Sequence, residues 1–334
     1  MRLLILVCFA IFFNGQALKT NDNGQFIKSA LMYSVKASSE QLIEKNFPYL
    51  FSDLPVVLNA AVKQEILELL KMKSHLNKLF GKGEYFFPDI ELGLTYQEVP
   101  KALKFIAVVE SSLNPLIKSP YGNAGFWQFN EGTARSCGLQ VNENIDERLD
   151  PRRATKAAGH YLNILYDKYQ DWWLALAAYN CGPKRIDTAL KSAADYDYWS
   201  IRPSLPKITQ DYIPHIIALI YLEHFMDDHG IVPEYFDMNM EYGEETLING
   251  SFDLKAICED YFLAPEDVKR MNPFLLKERF ETGPEGLLLR IPGELPPPVA
   301  INVPVVEEAS PSRQIEIIPP LLGSIKVKSI SFTK

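Results

Sequence analysis

The chain has 334 residues, enough for one or two domains with a buried core, and its 47% apolar and 23% charged residues are ordinary for a globular protein. Asp and Glu (42) outnumber Lys and Arg (34), which argues against nucleic acid as the main partner, because phosphate binding needs a basic surface. An uncharged polymer is compatible with this balance, although acidity alone does not single one out.

Residues 1–17 have the layout of a secretory signal peptide. Arg2 gives a positive start, Leu3 to Phe13 form an apolar run, and Asn14-Gly15-Gln16-Ala17 ends it with small and polar residues. The run is short of the ~20 apolar residues that a membrane span needs. Cys8 lies inside it, too early for lipid attachment at a cleavage site. The expectation is export to the periplasm with cleavage after Ala17; association with the outer or inner membrane is possible but is not implied by the sequence. The cysteines beyond the signal, Cys137, Cys181 and Cys258, are odd in number and not closely paired. They suggest buried thiols, with a Cys137–Cys181 pair left open should the fold bring the two together.

Residues 18–98 read as a helical N-terminal region. Ser52-Asp53 is a cap signal for a helix through Val57, Leu58, Ala61, Val62, Ile66, Leu69, Leu70 and Leu76, with Gly81 and Gly83 expected to end it and Pro88 to close the region. Residues 99–230 read as an all-helical domain of catalytic size. Its punctuation is a break at Asn114-Pro115, a helix start at Asp150-Pro151 and a stop at Gly182-Pro183. A long last helix is expected from near Asp211 to Gly230. Residues 241–292 change style, with a turn at Gly250-Ser251, two short helices and a closing strand over Leu287–Pro292. Residues 293–334 form a Pro-rich tail. The fold class expected is mainly α, with a small α+β C-terminal module.

The chemistry concentrates on Glu110, which ends the apolar helix Phe105-Ile106-Ala107-Val108-Val109. A carboxyl held against apolar side chains resists ionisation, so its pKa rises towards the range in which it protonates a leaving oxygen near neutrality. Ser119-Pro120-Tyr121-Gly122-Asn123-Ala124-Gly125-Phe126-Trp127-Gln128-Phe129 follows, glycine-rich, aromatic and uncharged. Phe126, Trp127 and Phe129 are candidates to offer flat faces to sugar rings, and Ser119 and Gln128 to supply hydrogen bonds. Asp150 reads as a helix cap, and Glu143, Asp146 and Glu147 as members of a polar loop. His75, His160, His215, His224 and His229 show no metal-ligand spacing and there is no phosphate-binding glycine loop, so neither metal nor cofactor is expected.

With Ala178-Tyr179-Asn180-Cys181-Gly182, these pieces resemble the soluble-lytic-transglycosylase domain, a family with a goose-lysozyme-like fold. The family pattern runs Glu-Ser, then Ser-x-x-Gly-Ala-x-Gly-x-x-Gln-Phe, then Ala-Tyr-Asn-x-Gly. Trp127, Asp146 through Pro151, Ala154-Thr155 and Thr209-x-x-Tyr212-x-Pro214 are similar to the membrane-bound lytic murein transglycosylase D subgroup. Ile117 and Asn123 stand where the family usually has Ala, Asn130-Glu131 replaces Met-Pro, and Cys181 replaces a small residue. Of these, Asn123 and Glu131 bear on subsite preference. The resemblance implies a lysozyme-like catalytic domain acting on peptidoglycan glycan strands. Glu110 is then the catalytic residue, Ser119, Gln128, Tyr179, Asn180 and Trp127 lie around the sugar near the cut, and Tyr212 stands against the Glu110 carboxyl.

Most glycosidases use two carboxylates, yet no Asp or Glu lies between Glu110 and Glu131. In the family the substrate fills the second role. The 2-acetamido group of the muramic acid stabilises the developing charge, the O6 hydroxyl attacks C1, and a 1,6-anhydro end results without water. A hydrolytic muramidase using Glu131 as second carboxylate, and an inactive peptidoglycan-binding protein, are the alternatives. The stretch 241–292 resembles a degenerate LysM module, a small peptidoglycan-binding fold, through Gly250-Ser251-Phe252-Asp253-Leu254, Asn272-Pro273 and Leu289-Arg290-Ile291-Pro292. A helix-rich extension packed on the catalytic domain is the other reading of it.

Overall fold

The computed structural model describes residues 38–235, 243–284, 286–292 and 328–331. The expected signal peptide and most of the expected tail lie outside them. Helices Ser39–Asn46 (α1), Ala60–Leu70 (α2), Lys73–Thr95 (α3), Phe105–Ser111 (α4), Glu131–Ser136 (α5), Pro151–Tyr169 (α6) and Trp172–Cys181 (α7) are followed by Pro183–Leu190 (α8), Tyr198–Ile201 (α9), Lys207–His224 (α10) and Met226–His229 (α11). Strands Gly243–Asn249 (β1) and Ser251–Asp253 (β2), helices Leu254–Asp260 (α12) and Pro265–Met271 (α13), and strands Arg279–Glu281 (β3), Leu287–Pro292 (β4) and Lys328–Ser331 (β5) complete it. The architecture is mainly α with a small C-terminal sheet region.

Two expectations in the N-terminal region are corrected. The cap of α2 is Asn59, whose side chain accepts from the Val62 amide, and not Ser52-Asp53. Asp53 instead accepts from the amide of Lys101. Gly81, Gly83 and Pro88 do not end a helix but lie inside α3. A Cβ on Gly81 would meet the Glu234 carbonyl oxygen at 1.8 Å, so this glycine gives the chain room to pass and does not stop the helix. Proline in a helix interior costs one backbone hydrogen bond, a loss that the packing of Phe86, Phe87 and Ile90 along α3 outweighs.

Helix α10 is the centre of the helical part. Ile213, Ile216, Ile217, Leu219, Tyr221 and Leu222 are buried all around it, as expected of a helix surrounded by others. It packs against α2, α4 and α7. It also begins earlier than the sequence suggests, after Pro206, and breaks at Phe225 before the short α11 ends in left-handed Gly230. Asp150 caps α6 from the predicted position, with Pro151 at its start.

In the C-terminal part β1 pairs antiparallel with β4, Gly243 opposite Pro292 and Ile248 opposite Leu287, and parallel with β5. Strands β2 and β3 form a separate antiparallel pair. Ile248, Phe252, Leu254, Ile257, Val268, Phe274, Leu287, Leu289 and Ile291 form the core here, and Ile145 from the helical part is a member of it. The two parts are joined by more than apolar contact. Arg290 Nη2 lies 2.9 Å from Asp150 Oδ1, and Asn272 brackets Arg290 by accepting from its amide and donating to its carbonyl. Arg153 places its guanidinium 4.2 Å over the Phe274 ring.

Asp146 and Glu147, expected in a polar loop, are buried. Their carboxylates are tolerated there because Arg148 and Arg153 meet them at 2.8 Å each. Arg290 and the α6 cap together predict a graded response at position 150. Asp150→Ala, which removes the cap and the shorter of the two ion pairs of Arg290 (Glu245, at 3.6 Å, is the other), should lower the unfolding free energy in urea by about 3–5 kcal/mol. Asp150→Asn keeps a cap acceptor and should recover about 1 kcal/mol of that loss.

Candidate active site

Helix α4 is apolar up to Glu110 and stops one residue later, at Ser111, because Ser112 and Leu113 take left-handed backbone angles (φ 50° and 55°). Glu110 is therefore half-buried in the last turn, where the helix dipole also disfavours negative charge. Burial pushes its carboxyl above the usual glutamate value, and the hydrogen bond from Tyr212 acts in the opposite direction. That bond runs from Tyr212 Oη, on buried α10, to Glu110 Oε1 at 2.8 Å. Among the described residues no cation forms an ion pair with Glu110. Among the described residues Glu223 is also pushed upward by burial, but Lys104 pairs with it at 2.7 Å.

Residues 117–129 form a tight hairpin beside this helix end. Ser119 accepts from the Asn123 amide through its Oγ, the Gly125 amide donates to the Ile117 carbonyl, and Ala124 donates to the Phe129 carbonyl. Gln128 has φ 46°, and its side-chain amide donates back to the Gly125 carbonyl at 2.9 Å. A non-glycine residue in that region stores strain, which fixes the direction of the Gln128 side chain. Tyr179, in the last turn of α7, donates its Oη to the Trp127 carbonyl at 2.6 Å and so ties the hairpin to α7. Asn180 accepts from Thr209 Oγ1 at 2.7 Å, tying α7 to α10.

The phenols of Tyr179 and Tyr212 are both held well above their usual pKa, first by burial and then by the Glu110 charge. Each remains a hydrogen-bond donor throughout the working pH range. The structure thus brings Glu110, Tyr212 and Tyr179 together, with the hairpin carrying Ser119 and Gln128 fastened alongside.

Trp127 requires a correction. Its side chain is fully buried, with the indole Nε1 donating to Thr155 Oγ1 at 3.1 Å, so it offers no face to a sugar. Phe126 and Phe129 are buried as well, and the exposed aromatic of the hairpin is Tyr121 at its tip, 92% accessible. Large aromatic rings in so short a glycine-rich segment are needed as its core, which outweighed the ligand-facing role read from residue type. Glu131 is exposed and paired with Arg135 one turn along α5, as ordinary surface pairs are. Cys137, Cys181 and Cys258 are free thiols.

Two features escaped the sequence reading. Tyr161 of α6 packs its ring against Tyr179 and Phe129, at 5.6 and 6.2 Å. The buried Asp146–Arg148 pair under the hairpin was the other. Among the described residues no cluster of three or more His, Cys, Asp or Glu is arranged to hold a metal ion.

The transglycosylase SLT domain family matches residues 89–201, a span that holds Glu110, the hairpin, Tyr179 and Asn180. Over 166 residues the chain is 31% identical to the membrane-bound lytic murein transglycosylase D of Escherichia coli K12, covering 48% of this chain and 36% of that protein. It is 31% identical over 141 residues to the soluble lytic murein transglycosylase of the same strain, covering 40% of this chain and 22% of that one. The chain thus spans well under half the length of these relatives. The crystal structure of the 70 kDa soluble lytic transglycosylase of Escherichia coli aligns over 66% of this chain and 39% of its own, with a TM-score of 0.39 and 21% identity.

The raised carboxyl of Glu110 sets the sign of a stability effect. A group whose folded pKa exceeds its unfolded value, here 4.5, contributes stability that is fully present below the unfolded value and is lost as pH rises through the folded one. Glu110→Gln lacks this loss. Its melting temperature relative to wild type should therefore increase between pH 4 and pH 7 (a range set by about two units around the glutamate value), as followed by circular dichroism.

Proposed function

We propose that the protein is a lytic transglycosylase that cleaves the β-1,4 bond between N-acetylmuramic acid and N-acetylglucosamine in peptidoglycan glycan strands. The observation that carries this reading is a single half-buried carboxyl, Glu110, pushed upward in pKa and contacted by a tyrosine hydroxyl in place of a second carboxylate or a cation. Protonated Glu110 gives its proton to the glycosidic oxygen as the C1–O bond breaks. The charge that develops at C1 is met by the 2-acetamido group of the muramic acid. Glu110, now a carboxylate, takes the proton of the O6 hydroxyl as O6 bonds to C1. The products are a strand with a 1,6-anhydro end and a released N-acetylglucosamine end, and the enzyme finishes with Glu110 protonated as it began.

Tyr212 holds one oxygen of the carboxyl, leaving the other for substrate. It also supports the carboxylate that exists between the two proton transfers. Ser119, Gln128, Tyr179 and Asn180 are proposed to line the sugar site beside it, with Tyr179 acting mainly by holding the hairpin. The C-terminal region 241–292 is proposed as a LysM-like, wall-contacting module. Export to the periplasm, where peptidoglycan lies, completes the proposal. The hydrolytic alternative needs a free second carboxylate, and the surface pairing of Glu131 with Arg135 speaks against it in that role.

Mass spectrometry of the soluble products released from bacterial sacculi tests the reaction. Wild type should release anhydro-muropeptides, and Glu110→Gln should bind sacculi while releasing at least ~1,000-fold less, the scale of losing an acid–base group. Reducing-end products from the wild type would overturn the lytic mechanism in favour of hydrolysis. Release by Glu110→Gln at the wild-type rate would remove Glu110 from the chemistry.

A further inference from the structure

We infer that Arg148 is a positioning residue for the hairpin 117–129, acting from a base that the C-terminal region holds in place. The inference rests on the reading of this site as one that cuts glycan strands. Arg148 touches no open surface and is 4% exposed. Its guanidinium is divided between two tasks. Nε and Nη2 take both oxygens of buried Asp146, at 2.8 and 3.0 Å, in a bidentate pair. Nη1 donates to two hairpin carbonyls, Gly122 at 2.7 Å and Phe129 at 3.0 Å.

Those two carbonyls flank the segment that carries Gln128 and the Trp127 carbonyl to which Tyr179 donates. The backbone of Arg148 adds a third point of contact. A Cβ on Gly125 would lie 1.7 Å from the Arg148 carbonyl oxygen, so the hairpin rests directly on this segment where Gly125 has φ 78°. Lys118, at the start of the hairpin, closes the arrangement with a 3.1 Å pair to Asp146. One guanidinium therefore fixes the hairpin at both ends of its functional stretch.

The base of this anchor belongs to the C-terminal region. The Asp146 amide donates to the Phe274 carbonyl at 2.8 Å, and the Leu276 amide to the Asn144 carbonyl at 2.8 Å. Ile145, between them, is buried in the C-terminal core. Asp146 is thus gripped from one side by the C-terminal region and from the other by Arg148. A buried carboxylate in such a pair holds its partner in one geometry, because any departure strands a charge away from water. The C-terminal region is in this way part of the frame of the candidate active site as well as a neighbour of it.

The test uses the full chain with Arg148→Met and Arg148→Lys, read by product release, sacculus binding, thermal unfolding and amide hydrogen exchange. Arg148→Met should lower kcat by about 10- to 100-fold, the cost of misplacing substrate-contacting groups by about an ångström. Sacculus binding should change by less than about threefold. Arg148→Lys keeps the charge beside Asp146 and should recover part of the loss. Exchange should speed up at the Asn123, Ala124 and Gln128 amides and stay unchanged along α10. A kcat within twofold of wild type, or exchange accelerated equally in α10, would reduce Arg148 to an ordinary fold residue and overturn the inference. Should wild type itself release no products, the catalytic reading fails, while the exchange pattern still decides whether Arg148 anchors the hairpin.

Discussion

The hydrogen bond from Tyr212 to Glu110 is the interaction on which the rest of this molecule depends. It joins a carboxyl that burial drives towards neutrality to a hydroxyl that burial keeps protonated. Neither group has another anchor as firm as its own helix. The short helix α4 supplies the carboxyl and ends immediately afterwards in two left-handed residues. The long helix α10 supplies the hydroxyl and is surrounded by apolar neighbours, so its rotation and height are set by packing. Much of the helical part can be understood as the means of keeping these two ends at 2.8 Å without bringing in a cation that would ionise the acid.

The hairpin is governed by a different balance. Its backbone needs glycine and left-handed geometry to turn in so few residues, and internal bonds such as Gly125 N–H to the Ile117 carbonyl and Ala124 N–H to the Phe129 carbonyl close the turns. Buried aromatic rings supply adhesion from below, Tyr179 fastens one carbonyl and Arg148 two others. Ser119 and Gln128 each commit a polar group to the turn, Oγ accepting from the Asn123 amide and Nε2 donating to the Gly125 carbonyl. The same loop contains both the most buried and the most exposed aromatics in its neighbourhood, Trp127 and Tyr121.

Much of this was legible in the sequence, and what was not has physical causes. Asp150-Pro151 and Gly182-Pro183 marked their helix ends because capping is local chemistry carried by one or two residues. Glu110 stood out because the glycine-rich, aromatic segment 119–129 and Ala178-Tyr179-Asn180 follow it in the order of the family pattern. Gly81, Gly83 and Pro88 misled because their local preference was overridden by packing partners distant in sequence, such as Glu234. Trp127 misled because residue type does not say which way a ring points. Asp146 and Arg148 look like solvated charges in sequence, and only the fold shows that each is the reason the other can be buried.

A hairpin fastened at Gly122, Gly125 and Phe129 has no free hinge within the stretch that carries Gln128. Such a surface is already in its working shape before any strand arrives. Under the proposed function, the disorder lost on association falls on the glycan strand, while the protein contributes almost none.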